Sequence, residues 1–199
     1  MEAHEVLEKV SRGEMSVGEA EAFFRREPFE DMGYAKLDTH RKLRNGAAEV
    51  VFCSGKADDH LVSIFQRLWE QNGEVFGTRA SRAQYELVRQ ELPELTYDAV
   101  SRIMKIEKPG KKKIGKIAVC TGGTADISVA EEAAQTAEFF GNHVDRIYDV
   151  GVSGLHRLLS RLDVIQSANC VVAAAGMEGA LASVIGGLVD KPVIAVPTS

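Results

Sequence analysis

Lys116-Ile-Ala-Val-Cys120-Thr121-Gly-Gly-Thr-Ala-Asp126-Ile-Ser-Val-Ala-Glu-Glu-Ala-Ala-Gln-Thr-Ala-Glu-Phe-Phe140 is the stretch on which the fold turns. Lys116 to Cys120 reads as a short buried strand, Thr121 to Asp126 as a glycine-rich turn, and Ile127 to Phe140 as a helix. The alternation then continues with a strand over 144–150, a helix from Ser153 to Leu162, a strand Cys170 to Ala175, a helix Glu178 to Leu188 and a strand Val193 to Val196. Strands separated by helices pair in parallel through right-handed crossovers. The predicted class is therefore α/β, with a doubly wound parallel sheet over residues 114–199.

Upstream, Lys108-Pro-Gly-Lys-Lys-Lys113 brings a proline, a glycine and a lysine cluster together, which predicts a boundary and a small N-terminal α/β domain over 1–110. Two short helices open that domain: Glu2 to Ser11, and one begun by the capping box Ser16-Val-Gly-Glu19. A strand Val50 to Cys53, a helix Ala57 to Asn72, a strand Glu74 to Thr78, a helix Ser81 to Leu92 stopped by Pro93, and a strand Thr96 to Glu107 follow. Between these blocks Pro28 to Asn45 has no clear period but is dense in ionisable groups, among them Asp31, Asp38, His40, Arg41 and Arg44. It is a candidate functional loop or, equally, a solvated salt-bridge face.

The 199 residues are 45% hydrophobic and 27% charged, which excludes a chain disordered throughout. A net charge of −5 supplies no electrostatic reason to expect nucleic acid or an anionic membrane as partner. No apolar run approaches the roughly 20 residues of a membrane span, and the acidic start Met1-Glu-Ala-His-Glu is unlike a secretory signal. The three cysteines, Cys53, Cys120 and Cys170, are too few and too widely spaced for a disulfide framework or a CxxC metal site. The expected compartment is the cytoplasm.

In an open parallel sheet the binding crevice lies at the carboxyl ends of the strands, so chemistry is sought in the strand-to-helix turns. In the first turn Gly122 and Gly123 let main-chain N–H groups approach a phosphate, while Thr121, Thr124 and Asp126 supply polar side chains; plain helix capping reads equally well. The second, Gly151-Val-Ser-Gly-Leu-His-Arg157, puts His156 and Arg157 in a first helical turn, where cations oppose the helix dipole. Either a bound anion offsets them or they are simply exposed. The third, Ala174-Ala-Gly-Met-Glu-Gly-Ala180, flanks Glu178 with glycines directly after an apolar strand. Cys53 and Cys170 read as core residues, whereas Cys120 ends its strand beside the first turn and could face the crevice.

At these turns the chain resembles a known family. Thr121-Gly-Gly-Thr-Ala-Asp126, Asp149-Val-Gly-Val-Ser-Gly-Leu-His-Arg-Leu-Leu159 and Ala175-Gly-Met-Glu-Gly-Ala-Leu-Ala-Ser-Val-Ile-Gly-Gly-Leu188 resemble the LarB family, whose C-terminal domain is similar to phosphoribosylaminoimidazole carboxylase, a flavodoxin-like fold. Leu37-Asp-Thr-His-Arg-Lys-Leu-Arg-Asn-Gly46 and Glu49-Val-Val-Phe-Cys-Ser-Gly-Lys56 look like that family's N-terminal domain. The resemblance implies carboxylation of the pyridinium ring of nicotinate adenine dinucleotide at C5, with phosphoanhydride hydrolysis, giving pyridinium-3,5-biscarboxylate mononucleotide and AMP for the nickel-pincer cofactor. Carbon dioxide or bicarbonate would be the co-substrate, with a magnesium ion allowed beside the phosphates.

By the same resemblance Glu178 and Asp126 become the catalytic carboxyl groups. Thr121, Gly122, Gly123, Thr124, His156 and Arg157 become substrate-binding, joined by Arg41 and Arg44 of the basic loop. A homo-oligomer is implied, since the related carboxylases are octamers. Two departures matter. Ala180 stands where aminoimidazole carboxylases carry a histidine, which argues against purine synthesis, and the family's cysteine nucleophile belongs to a segment beyond Ser199. The expectation is an incomplete C-terminal domain, a fragment or one completed by another polypeptide, that binds substrate without carboxylating it alone. The competing readings are a nucleotide-binding regulatory subunit and an aminoimidazole ribonucleotide carboxylase or mutase.

Overall fold

The computed structural model describes residues 3–25 and 27–198. Helices α1 (Ala3–Ser11) and α2 (Val17–Phe24) open the chain, and the capping box at Ser16 and Glu19 forms as predicted. Pro28 to Asn45 is more ordered than its aperiodic sequence suggests. It folds into an antiparallel hairpin of β1 (Phe29–Asp31) and β2 (Lys36–Asp38), followed by a short helix α3 (Arg41–Asn45).

A mixed sheet comes next, built from β3 (Val50–Phe52), α4 (Asp58–Asn72), β4 (Val75–Thr78), α5 (Arg82–Glu91), β5 (Thr96–Asp98) and β6 (Ile103–Ile106). Its strand order is β3-β4-β6-β5, parallel only between β3 and β4. The single strand expected over Thr96 to Glu107 is thus two. Asp98 folds the chain back by accepting hydrogen bonds at Oδ1 from the main chain of Val100 and Ser101 and from the Ser101 hydroxyl, an Asx-type turn. Phe65, Leu61 and Val88 of the two helices pack on Val51, Val75 and Met104 to form this half's core.

The C-terminal sheet comprises β7 (Lys116–Thr121), α6 (Ile127–Phe139), β8 (His143–Ile147), α7 (Leu155–Leu159), α8 (Leu162–Gln166), β9 (Cys170–Ala175), α9 (Ala180–Leu188) and β10 (Val193–Pro197). All pairs are parallel, in the order β10-β9-β7-β8. Alternate residues of β7 face opposite layers: Val119 meets Ala130 and Ala134 of α6, whereas Ala118 and Cys120 meet Leu158, Ile165, Leu181 and Ile185 on the other side. The predicted flavodoxin-like arrangement is what the chain adopts.

Three boundaries differ in ways that bear on the site. The strand expected to reach 150 stops at Ile147, and Asp149 then turns in the left-handed region at φ 58°. The helix expected over Ser153 to Leu162 is a 3-10 turn at Val152–Gly154 followed by the separate α7 and α8. The helix expected from Glu178 starts only at Ala180 because Gly179 is left-handed at φ 67°, leaving Glu178 in the turn. Phe76, Ile103 and Phe139 form a small cluster between the two sheets, the rings of Phe76 and Phe139 lying 4.6 Å apart. At one sheet edge β10 leaves Ile194 54% exposed.

Candidate active site

The order of the parallel sheet places its reversal between β7 and β9, and their register pairs Thr121 with Ala174. The turns after these two strands therefore diverge from one point and leave a crevice at their carboxyl ends. A cavity of about 460 Å³ lies there, lined by Gly122, Gly123, Asp126, Gly151, Ser153, Gly176, Met177, Glu178, Ala180 and Thr198 among others. All three turns singled out in the sequence contribute to it.

Main-chain contact replaces side chains where the turns meet. A Cβ on Gly151 would overlap the Gly122 carbonyl oxygen, and one on Gly122 would lie 3.1 Å from the Ala175 methyl. At position 151 only glycine allows this approach, and position 122 is tight. Asp126 is 7% exposed, accepting from the Gly123 main-chain N–H (2.9 Å) at one oxygen and from the Thr198 hydroxyl at the other. Its carboxyl is fixed and shapes the turn. Glu178, by contrast, is exposed in the cavity and makes no hydrogen bond or ion pair among the described residues.

The other predicted residues are placed differently. Thr121 is fully buried, its hydroxyl accepting from the Asp149 main-chain N–H (2.9 Å), so it braces the second turn instead of meeting a ligand. Thr124 is exposed and does not line the cavity. His156 and Arg157 also lie outside the lining; Arg157 pairs with Asp149, so the anion beside its guanidinium is the protein's own carboxylate. Arg44 is likewise bound to Asp38, while Arg41 is exposed, and neither lines this cavity. Cys120 does not face the crevice: it is fully buried, and burial pushes its thiol up to about 12.

Sequence reasoning missed Gly151, Ser153, Met177 and Thr198 as lining residues. Met177 had a signal, its place beside Glu178 between two glycines. Its backbone is left-handed at φ 55° and its side chain 99% exposed. Thr198 had none, because its contact with Asp126 joins positions 72 residues apart.

Residues 29–108 match the LarB/PurE-like N-terminal domain, and residues 116–199 match AIR carboxylase. The chain belongs to the LarB-like family. An uncharacterized protein of Methanocaldococcus jannaschii is 37% identical over 205 residues, spanning 98% of this chain and 80% of that relative. The AIR carboxylase match begins at the first residue of β7 and so contains every turn that lines the cavity. LarB-like chains thus carry a carboxylase- or mutase-type domain, and the crevice of that domain is the candidate active site.

Proposed function

We propose that the crevice binds nicotinate adenine dinucleotide and takes part in carboxylating its pyridinium ring at C5, with phosphoanhydride hydrolysis to the biscarboxylate mononucleotide and AMP. The observation that carries this reading is the charge of the cavity. Two carboxyl groups, Asp126 and Glu178, line it, and no Lys, Arg or His does among the described residues. Such a lining favours a cationic ring over the neutral imidazole of a purine precursor. Ala180 supports the same choice by presenting a methyl group where the purine enzymes carry an imidazole.

A pyridinium ring is electron-poor and cannot attack carbon dioxide. Addition of a nucleophile makes it an enamine whose C5 donates an electron pair to carbon dioxide; loss of the C5 proton and of the nucleophile restores aromaticity. Glu178, unengaged and at the cavity, is the base for that proton. Asp126, held by Gly123 and Thr198, is a fixed charge facing the ring. The covalent step is assigned to none of the three cysteines: Cys120 and Cys53 are buried, and Cys170 begins β9 at the end opposite the crevice.

Among the described residues no three His, Cys, Asp or Glu side chains are grouped to hold a metal. Magnesium therefore enters this proposal only with the substrate's phosphates, its usual companions beside one or two carboxylates. Assembly with further copies is proposed from the exposed Leu155 and Leu159 of α7 and from the exposed Met177 of the crevice. No described helix is long and apolar enough to cross a membrane.

Calorimetry with nicotinate adenine dinucleotide and with aminoimidazole ribonucleotide tests the reading. The dinucleotide is expected to bind, and Gly123→Val to weaken it at least about tenfold, or about 1.4 kcal/mol. Tighter binding of the imidazole would move the assignment to a purine-type carboxylase. Replacing Cys120 or Cys170 by alanine should leave any entry of labelled bicarbonate into product unchanged, and its loss would overturn the assignment of the covalent step to none of the three cysteines.

A further inference from the structure

We propose that Asn45-Gly46 is a self-modifying site, at which the native chain converts its own asparagine into aspartate and isoaspartate. The chemistry asks three things of the structure: a side-chain amide without a partner, a following main-chain nitrogen that is not shielded, and backbone loose enough to bring the two together.

The chain has four asparagines, and three of them are held. Asn72 donates from Nδ2 to the Leu68 carbonyl oxygen (3.1 Å), Asn142 donates to that of Ala137 (3.0 Å), and Asn169 Oδ1 accepts from the Lys116 main-chain N–H (2.9 Å). Asn45 is exposed, and its side chain makes no hydrogen bond among the described residues.

Asn45 and Asn72 both precede glycine, so the sequence offers two candidate sites and the structure separates them. Asn72 closes α4, a helix of 15 residues. There the Gly73 main-chain N–H donates to the Trp69 carbonyl oxygen (2.6 Å), and the Lys108 side chain covers Gly73 so closely that a Cβ would come within 2.8 Å of it. Asn45 closes α3, which has 5 residues, against the roughly 12–15 that an isolated helix needs. Helix ends fray, and this one has almost no helix behind it. Gly46 is exposed and left-handed at φ 72°, and nothing lies within 4 Å of a Cβ placed on it.

The Gly46 nitrogen, its proton passed to solvent, attacks Asn45 Cγ, and the absent Cβ leaves its approach unhindered. The Cγ–Nδ2 bond breaks, and Nδ2 takes up a proton and departs as ammonia. One water then opens the five-membered imide: at Cγ it gives aspartate, and at the main-chain carbonyl it gives isoaspartate, with the chain rerouted through the side chain. No oxidant or reductant is involved. Either product sets a carboxylate at the C-terminal end of α3, where the helix dipole favours cations, and beside Arg44, now paired with Asp38. Modification therefore loosens α3.

The full native chain, incubated in mildly alkaline buffer and then mapped by mass spectrometry, tests this. The amide-to-acid mass increase is expected first in the peptide carrying Asn45, as a mixture of aspartate and isoaspartate, faster as pH rises. An isoaspartyl carboxyl methyltransferase with labelled S-adenosylmethionine should methylate the aged chain, and aged Asn45→Gln should accept at least tenfold less label. Gly46→Ala should slow the conversion at least tenfold. In urea Asn72-Gly73 should catch up with Asn45-Gly46, because only the fold distinguishes them. Conversion of Asn72 as fast as Asn45 in the native chain, equal methylation of aged Asn45→Gln, aspartate without isoaspartate, or indifference to Gly46→Ala would each overturn the proposal.

Discussion

Position 151 has no room for a methyl group, because the Gly122 carbonyl oxygen already occupies that space. Gly151→Ala should cost about 1–3 kcal/mol of stability in urea unfolding and widen the crevice enough to weaken dinucleotide binding; Gly186→Ala, inside α9 with nothing within 4 Å, should instead stabilise by about 0.5–1 kcal/mol and leave binding unchanged. The cysteines give a second prediction at this scale. Burial raises the thiols of Cys53 and Cys120 from 9.0 to about 12, so at pH 8 only about one part in 10⁴ of either is thiolate. Neither should react with a thiol reagent in the native protein, and both should react once it is unfolded. Above pH 9.0 the unfolded thiols ionise while the folded ones do not, so the unfolded state binds fewer protons and stability falls as pH rises toward about 12. Residue types had predicted the glycines, Asp126 and Glu178 at the crevice because their neighbours in sequence are their neighbours in space. Thr121, His156 and Arg157 were misplaced, because which way a turn side chain points depends on partners such as Asp149, not on the turn's own sequence.

Elements were legible where one period ran long enough. The apolar face of α4, with Leu61, Ile64, Phe65 and Leu68, and the apolar runs of β7 and β9 needed no tertiary information. The β5–β6 hairpin was not legible: Tyr97, Val100, Ile103 and Ile106 recur every third residue and masked the turn between them. Asp98 is what makes that turn. Burial opposes its ionisation, yet hydrogen bonds from Ser101, Gln135 and Val100 hold its carboxyl below the usual carboxylate value. Asp98→Ala should cost about 2 kcal/mol near neutral pH. Because the folded carboxyl is the stronger acid, its contribution is complete above the unfolded value of about 3.9 and fades as pH falls through the folded one. Denaturant curves of the variant and the parent should therefore converge in acid.

Across the whole molecule the two sheets meet at few points. Beside the Phe76–Phe139 contact, the Lys111 ammonium pairs with Glu74 (2.7 Å), donates to the Phe139 carbonyl oxygen and lies 4.1 Å from the centre of the Phe139 ring. Glu74 is 5% exposed, so removing the Lys111 ammonium takes an ion-pair partner from a buried carboxylate. Lys111→Met should destabilise by about 3 kcal/mol, and the Glu74→Gln, Lys111→Met pair by less than the sum of the single changes, in a double-mutant cycle read by calorimetric unfolding. The edges of the C-terminal sheet are guarded unequally. Along β8, Arg146 is tied to Glu131 (2.9 Å) and Glu138 (2.7 Å), and Asp145 to Lys116 (2.7 Å), a row of charges that repels a stray strand. Val193-Ile-Ala-Val-Pro197 has no such sentries. Ile194, 54% exposed on β10, is the place for one more, and Ile194→Lys should slow aggregation on heating, read by light scattering.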